Sequence, residues 1–330
     1  MKKIDSMVWT PKWVSHLGCM MGCLKHLKSD ISDAWLYGGS GHAFILNIHD
    51  VICPSGPTAW RKERYHELIE NVGIRSYHVV GHKSMSDFPE KQKQAHDLTV
   101  ESIDDDRPVI AWELDIPEYH LINGYDEIGY YFTGAVSSKE KLVTPKPWQD
   151  VGKSEIGILE FEFPILVTPV DDEKIVHDAL KFALDFSSTP AAMCFENYKA
   201  GVDGFDLWVK SIKEKTADDW GMAYNTAVWT ECRTYAVEFL KETQTRLQGD
   251  VVPLLAEAEK HYNDVKIQLE ELGKVFPFPP SDELKDESKV ERGIELLHKA
   301  RESEAKALKS VSKIVAMLSP DKTAESPECD

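Results

Sequence analysis

A chain of 330 residues, 42% apolar and carrying nine Trp, has enough hydrophobic material for two packed domains and is not a disordered polymer. Its formal net charge of −18 argues against nucleic acid or an anionic membrane surface as a main partner, and suits a cationic or amine-bearing ligand. No apolar run of about 18 residues predicts a membrane span. The start, Met1-Lys2-Lys3-Ile4-Asp5, lacks the apolar stretch of a signal peptide. The six Cys (Cys19, Cys23, Cys53, Cys194, Cys232 and Cys329) form no CxxC pairs and read as reduced thiols, so a cytoplasmic protein is expected.

Along the chain, residues 8–16 carry aromatics and a proline and read as an extended lead-in. Met20, Cys23, Leu24 and Leu27 recur at helical spacing and predict a helix from about Gly18 to Lys28. Ser29-Asp30 and Ser32-Asp33 are cap-like signals for a short second helix to Tyr37, which Gly38-Gly39-Ser40-Gly41 should break. A strand is expected at 42–48, a helix from Ser55-Gly56-Pro57 to about Asn71, a strand at 74–80, a helix at 90–102 and a strand at 108–114. Residues 119–124 and 128–133 should pair as a hairpin around Asp126-Glu127, and 139–153 should form a loop. Residues 155–164 alternate apolar and polar, the pattern of a half-buried strand. Beyond Val170 nearly everything is helical, at about 174–186, 204–215, 218–247, 251–272 and 289–318, which predicts an up-and-down bundle. The tail from Ser319 is polar and acidic and should fray. The expected class is therefore α+β, with a mostly antiparallel sheet domain over 1–170 and a helical domain over 171–330.

Two stretches carry candidate chemistry. Cys19 stands at the expected start of the first helix, where the macrodipole favours thiolate, and Gly18 beside it could free an amide for an oxyanion. Cys23, one turn further on, reads as core. His120 begins a strand that runs into the hairpin and is the candidate base for Cys19. The bland alternative is a Cys that is a small buried hydrophobe and a His that is structural. The carboxylates Glu113, Asp115 and Glu118 read as solvated strand-end charge. The Gly38–Gly41 run lacks the spacing and following helix of a phosphate loop, no zinc-ligand spacing occurs, and no cofactor is implied.

The order Gly18-Cys19, Gly38-Gly39-Ser40-Gly41-His42-Ala43-Phe44, Arg107-Pro108-Val109-Ile110-Ala111 and Glu118-Tyr119-His120-Leu121-Ile122-Asn123-Gly124-Tyr125-Asp126 resembles the butirosin-biosynthesis acyltransferase family. The N-terminal domain of that family is similar to papain-like cysteine peptidases. The resemblance runs on through 175–184 and Gly201-Val202-Asp203-Gly204-Phe205-Asp206-Leu207-Trp208. It implies a papain-like domain followed by a helical domain that covers the active-site mouth or forms a homodimer interface. It also implies acyl transfer in antibiotic-type secondary metabolism: Cys19 would take an acyl group from a thioester, such as one held on an acyl carrier protein, with His120 as base, and pass it to a small-molecule amine. Two positions depart from the papain pattern. Trp13 stands where a Gln is usual, and residues 133–135, opposite His120, include no acid or amide. A cysteine hydrolase of the same fold (amidase, peptidase or thioesterase) and a catalytically inactive binding or scaffold protein stay open beside the transferase.

Overall fold

The computed structural model describes residues 1–5 and 7–319, so the tail reading beyond Ser319, with Cys329, lies outside the described residues. The first elements are β1 (Lys2–Lys3), α1 (Ser15–His26), α2 (Asp33–Gly39), β2 (Asn47–His49), α3 (Glu63–Asn71), β3 (Ile74–His82) and α4 (Phe88–Asp104). Then come β4 (Val109–Trp112), β5 (Tyr119–Tyr125), β6 (Gly129–Gly134), β7 (Lys146–Pro147) and β8 (Ile158–Leu166). The remainder is α5 (Asp172–Ser188), β9 (Tyr198–Ala200), α6 (Gly201–Lys213), α7 (Asp219–Arg246), α8 (Val251–Val275) and α9 (Glu287–Leu318). The protein is thus α+β, with an antiparallel sheet and a helical C-terminal region. No helix among the described residues is long and apolar enough to cross a membrane.

Several expected boundaries move, each for a local reason. Helix α1 begins at Ser15 rather than Gly18, with Val14 at the cap position and no side chain capping it. Gly38 and Gly39 continue α2 instead of breaking it. A Cβ on Gly38 would overlap the ring of Phe239, so glycine there lets α2 pack directly on α7. Gly41, at φ 78°, makes the turn that follows. The strand expected at 42–48 shrinks to β2, which pairs with β9, an element not anticipated. Residues 54–59 form turns pinned by Asn47 Nδ2, which donates to the carbonyls of Gly56 (2.9 Å) and Ala59 (3.1 Å), so the next helix starts only at Glu63.

The chain divides into two units, neither of which is continuous. The first comprises Met1–Ile31 and Gly73–Thr168; the second comprises Ser32–Val72 and the chain from Pro169 onward. Residues 32–72, assigned from sequence to the sheet domain, therefore belong with the helices. Their apolar side chains, including Trp35, Leu36, Phe44 and Trp60, have their partners there: Trp35 and Phe44 meet Phe239, and Trp60 meets Phe182 and Phe186. In the same unit the buried guanidinium of Arg233 on α7 donates to the carbonyls of Ala43 (2.9 Å) and Ile45 (2.8 Å), and makes a two-pronged pair with Glu304 on α9 (2.7 and 2.9 Å). A buried charge is tolerated only when paired and hydrogen-bonded in this way.

In the first unit the sheet runs β3-β8-β4-β5-β6-β7, all antiparallel, with β1 continuing the edge of β5 beyond the end of β4. Helix α4 covers one face. Beneath it lie Val79, Val109, Ala111, Ile122, Phe132 and Phe161, packed against Phe88, Ala95 and Ile103 of the helix. Helix α1 lies against the other face, over β4 and β5. Gly18 and Gly22, one turn apart, allow this approach: a Cβ on Gly18 would stand 2.5 Å from the Thr10 carbonyl oxygen, and one on Gly22 would stand 2.8 Å from Leu121 Cδ2.

Candidate functional site

Because α1 starts at Ser15, Cys19 sits in its second turn, away from the positive end of the helix dipole. The Gly18 amide, the expected oxyanion donor, instead donates to the Val14 carbonyl at 3.0 Å. Cys19 is 0% exposed, and so is Cys23. Burial, together with the carboxylates of Glu162 and Glu118, pushes the Cys19 thiol well above its ordinary pKa. This is the opposite of what an activated nucleophile requires.

His120 lies on β5, opposite Gly134 of β6, as the hairpin predicts. Successive strand residues face opposite sides of a sheet. Tyr119 and Leu121 face α1: the Tyr119 ring is 4.9 Å from His16, edge to face, and Leu121 meets Gly22. His120 points the other way, edge-on to Phe132 at 5.1 Å, in the layer beneath α4. The sheet thus separates the Cys19 thiol from the His120 imidazole, and the two do not form a pair.

The surroundings of His120 define a structural role. Nε2 lies 2.7 Å from the Ala135 carbonyl oxygen and must donate to it, while Nδ1 accepts the Leu114 amide at 3.3 Å. Both nitrogens are satisfied by a neutral ring. Burial lowers its pKa to about 4, against the opposing pull of the Ala135 hydrogen bond and the Asp115 charge. The imidazole therefore ties the 113–118 loop to the segment just beyond β6. The acidic residues of that loop, expected to be merely solvated, are latched as well. Glu113 accepts from Ser154 Oγ (2.6 Å), Asp115 from the amide and hydroxyl of Ser137 (2.6 and 2.7 Å), and Glu118 from Ser15 Oγ.

What the fold assembles at the head of α1 is a different constellation. Ser15 Oγ donates to the Glu118 carboxylate and accepts the Tyr119 amide at 3.1 Å. The next residue, His16, sets Nε2 2.5 Å from Glu162 Oε2, and Ser76 Oγ donates to Glu162 Oε1 at 2.6 Å. Burial alone would raise the Glu162 pKa. The charge and hydrogen bond of His16, the charge of His78 and the bond from Ser76 outweigh it, so the carboxylate is held far below the usual range. Trp112, edge-on to Tyr119 at 5.0 Å, extends the aromatic wall. Ser15, His16 and Glu162 are buried, whereas Glu118 is half-buried and marks the open side.

Chemically, this site offers a hydroxyl bonded to a carboxylate, and an imidazole committed to a second carboxylate. Sequence reading missed Ser15 because it started the helix too late. It missed Glu162 because the alternation of 155–164 assigns Glu162 to a solvated face. The readable signal was a carboxylate flanked by Phe161 and Phe163. Elsewhere, His42 Nδ1 lies 3.7 Å from Cys232 Sγ, a thiol–imidazole contact sealed in the second unit, where burial raises the thiol pKa. No group of three or more His, Cys, Asp or Glu among the described residues is placed to hold a metal ion. No protein-family model matches this chain, and a search of curated proteins finds no significant match either.

Proposed function

We propose that this chain is a non-catalytic binding protein with a papain-like arrangement of helix and sheet, and that its ligand is a small amine-bearing molecule. The observation that carries this reading is the sealed Cys19 thiol, on the sheet face away from His120. A thiol enzyme needs an ionisable sulfur, open to substrate and within hydrogen-bond reach of its base. Cys19 meets neither condition, and His120 has both ring nitrogens occupied. The papain-like part is supported by a helix laid on one face of an antiparallel sheet with its first turn meeting β5. The ligand class is supported by the half-buried Glu118 carboxylate beside that turn, on a chain of net charge −18.

The test offers wild-type protein an acetyl thioester and, separately, iodoacetamide, with adducts located by mass spectrometry. Spermidine binding is followed by calorimetry for wild type and Glu118→Gln. The expected results are no acyl adduct, and alkylation of Cys53 ahead of the other four described thiols, since it alone among them is not buried. Spermidine affinity should fall about tenfold in Glu118→Gln. An acetyl group on Cys19, or Cys19 alkylating first, overturns the reading and restores the acyltransferase or hydrolase. Failure of spermidine to bind removes the ligand class. A second reading is favoured by the Ser15–Glu118 hydrogen bond. It keeps acyl chemistry and moves it to Ser15, and an acetyl adduct on Ser15 selects it.

A further inference from the structure

Strand β3 forms one edge of the seven-stranded sheet. It pairs with β8 along all nine residues, from Ile74 opposite Leu166 to His82 opposite Ile158, without a register shift. Among the described residues no strand pairs with its other side. Natural sheets blunt such edges with proline, lysine, a bulge or a short strand. Strand β3 is long and regular, and Ile74-Arg75-Ser76-Tyr77-His78-Val79-Val80-Gly81-His82 contains neither proline nor lysine. Two of its apolar side chains stand in solvent, Tyr77 at 53% and Val80 at 51% exposure. The Tyr77 hydroxyl is held by Gln94 of α4 at 2.8 Å, so the ring is fixed rather than free to fold back.

We infer that β3 is an interface on which a second copy of this chain adds its own β3, antiparallel, to continue the sheet across a two-fold axis. Two features favour a second copy over other extended chains. The strand itself carries no carboxylate, and Glu90 and Asp97, which line a surface pocket with Tyr77, belong to α4, so two chains of net charge −18 can pair here without acids on the facing strands. An antiparallel pairing about His78 is self-complementary, each residue of the strand facing its symmetry-related partner in the second copy. Tyr77 falls opposite Val79 of the second copy, with the two Tyr77 rings as diagonal neighbours, and aromatic and β-branched cross-strand pairs stabilise a sheet.

Sedimentation equilibrium over a range of protein concentrations tests this. Wild type is expected to be in monomer–dimer equilibrium. Tyr77→Lys/Val80→Lys, which sets like charges across the axis at exposed positions, should raise the dimer dissociation constant about tenfold or more with unchanged circular dichroism. Ile165→Lys serves as the control, because it replaces an exposed apolar side chain (40%) on β8, the strand next to the edge; it should leave the dimer unchanged. A wild-type chain that is monomeric throughout overturns the inference. So does a dimer that survives Tyr77→Lys/Val80→Lys, or one that Ile165→Lys dissolves instead.

Discussion

His120 makes opposite predictions as a base and as a strut. As a strut it is neutral, with its folded pKa lowered from 6.5 to about 4 by burial. The unfolded chain then binds a proton that the folded chain refuses, so the stability conferred by the neutral ring is complete above pH 6.5. It is lost as pH falls from there towards about 4. The full effect is about 3 kcal/mol. Glu162 works in a lower range: its pKa is depressed from 4.5, so its contribution is intact above that value and is lost only below it. Denaturant titrations between pH 7 and 4.5 should therefore show wild-type stability falling with acidity, and His120→Gln should flatten that slope. An equally steep slope in His120→Gln would show that the ring is not the group that resists protonation.

At the level of the elements, α1 is where the sequence misled and where packing corrects it. The spacing of Met20, Cys23, Leu24 and Leu27 is legible as a helix. Its first residue is not, because Val14 leaves no capping signal to read. A start at Gly18 would put Cys19 in the first turn; the actual start puts Ser15 there. The hairpin of β5 and β6 was legible from its turn and alternation, but the face that His120 presents depends on which helix covers which side, and strand alternation is silent on that. Gly18 separates the two accounts of this helix. In an exposed helix, Gly→Ala usually stabilises by up to about 1 kcal/mol. Here the added methyl would meet the Thr10 carbonyl oxygen, a backbone atom that cannot swing away. Gly18→Ala should therefore destabilise by about 1–3 kcal/mol in chemical denaturation. A neutral or stabilising result would mean that the lead-in segment is not seated on the helix as described.

On the scale of the whole molecule, length suggests two domains, and no local signal foretells that residues 32–72 cluster with the second unit. A local pattern identifies an amphipathic segment without naming the surface that buries it. That interleaving predicts that residues 169–330 produced alone will lack a cooperative fold. Arg233 would lose the Ala43 and Ile45 carbonyls, and Phe239 would lose the face of α2 that Gly38 opens to it. Thermal unfolding followed by circular dichroism should give a broad, shallow transition for the fragment, and a sharp one would contradict the prediction. The same threading bears on how the chain matures on the ribosome. By the time Thr168 has emerged, the sheet unit has all its parts, while the stretch from Ser32 to Val72 still awaits helices that have not been translated. Trp35, Tyr37, Trp60 and Tyr65, all later sequestered, remain uncovered during that interval, and such exposed apolar surface favours aggregation until α5 and α7 have been made.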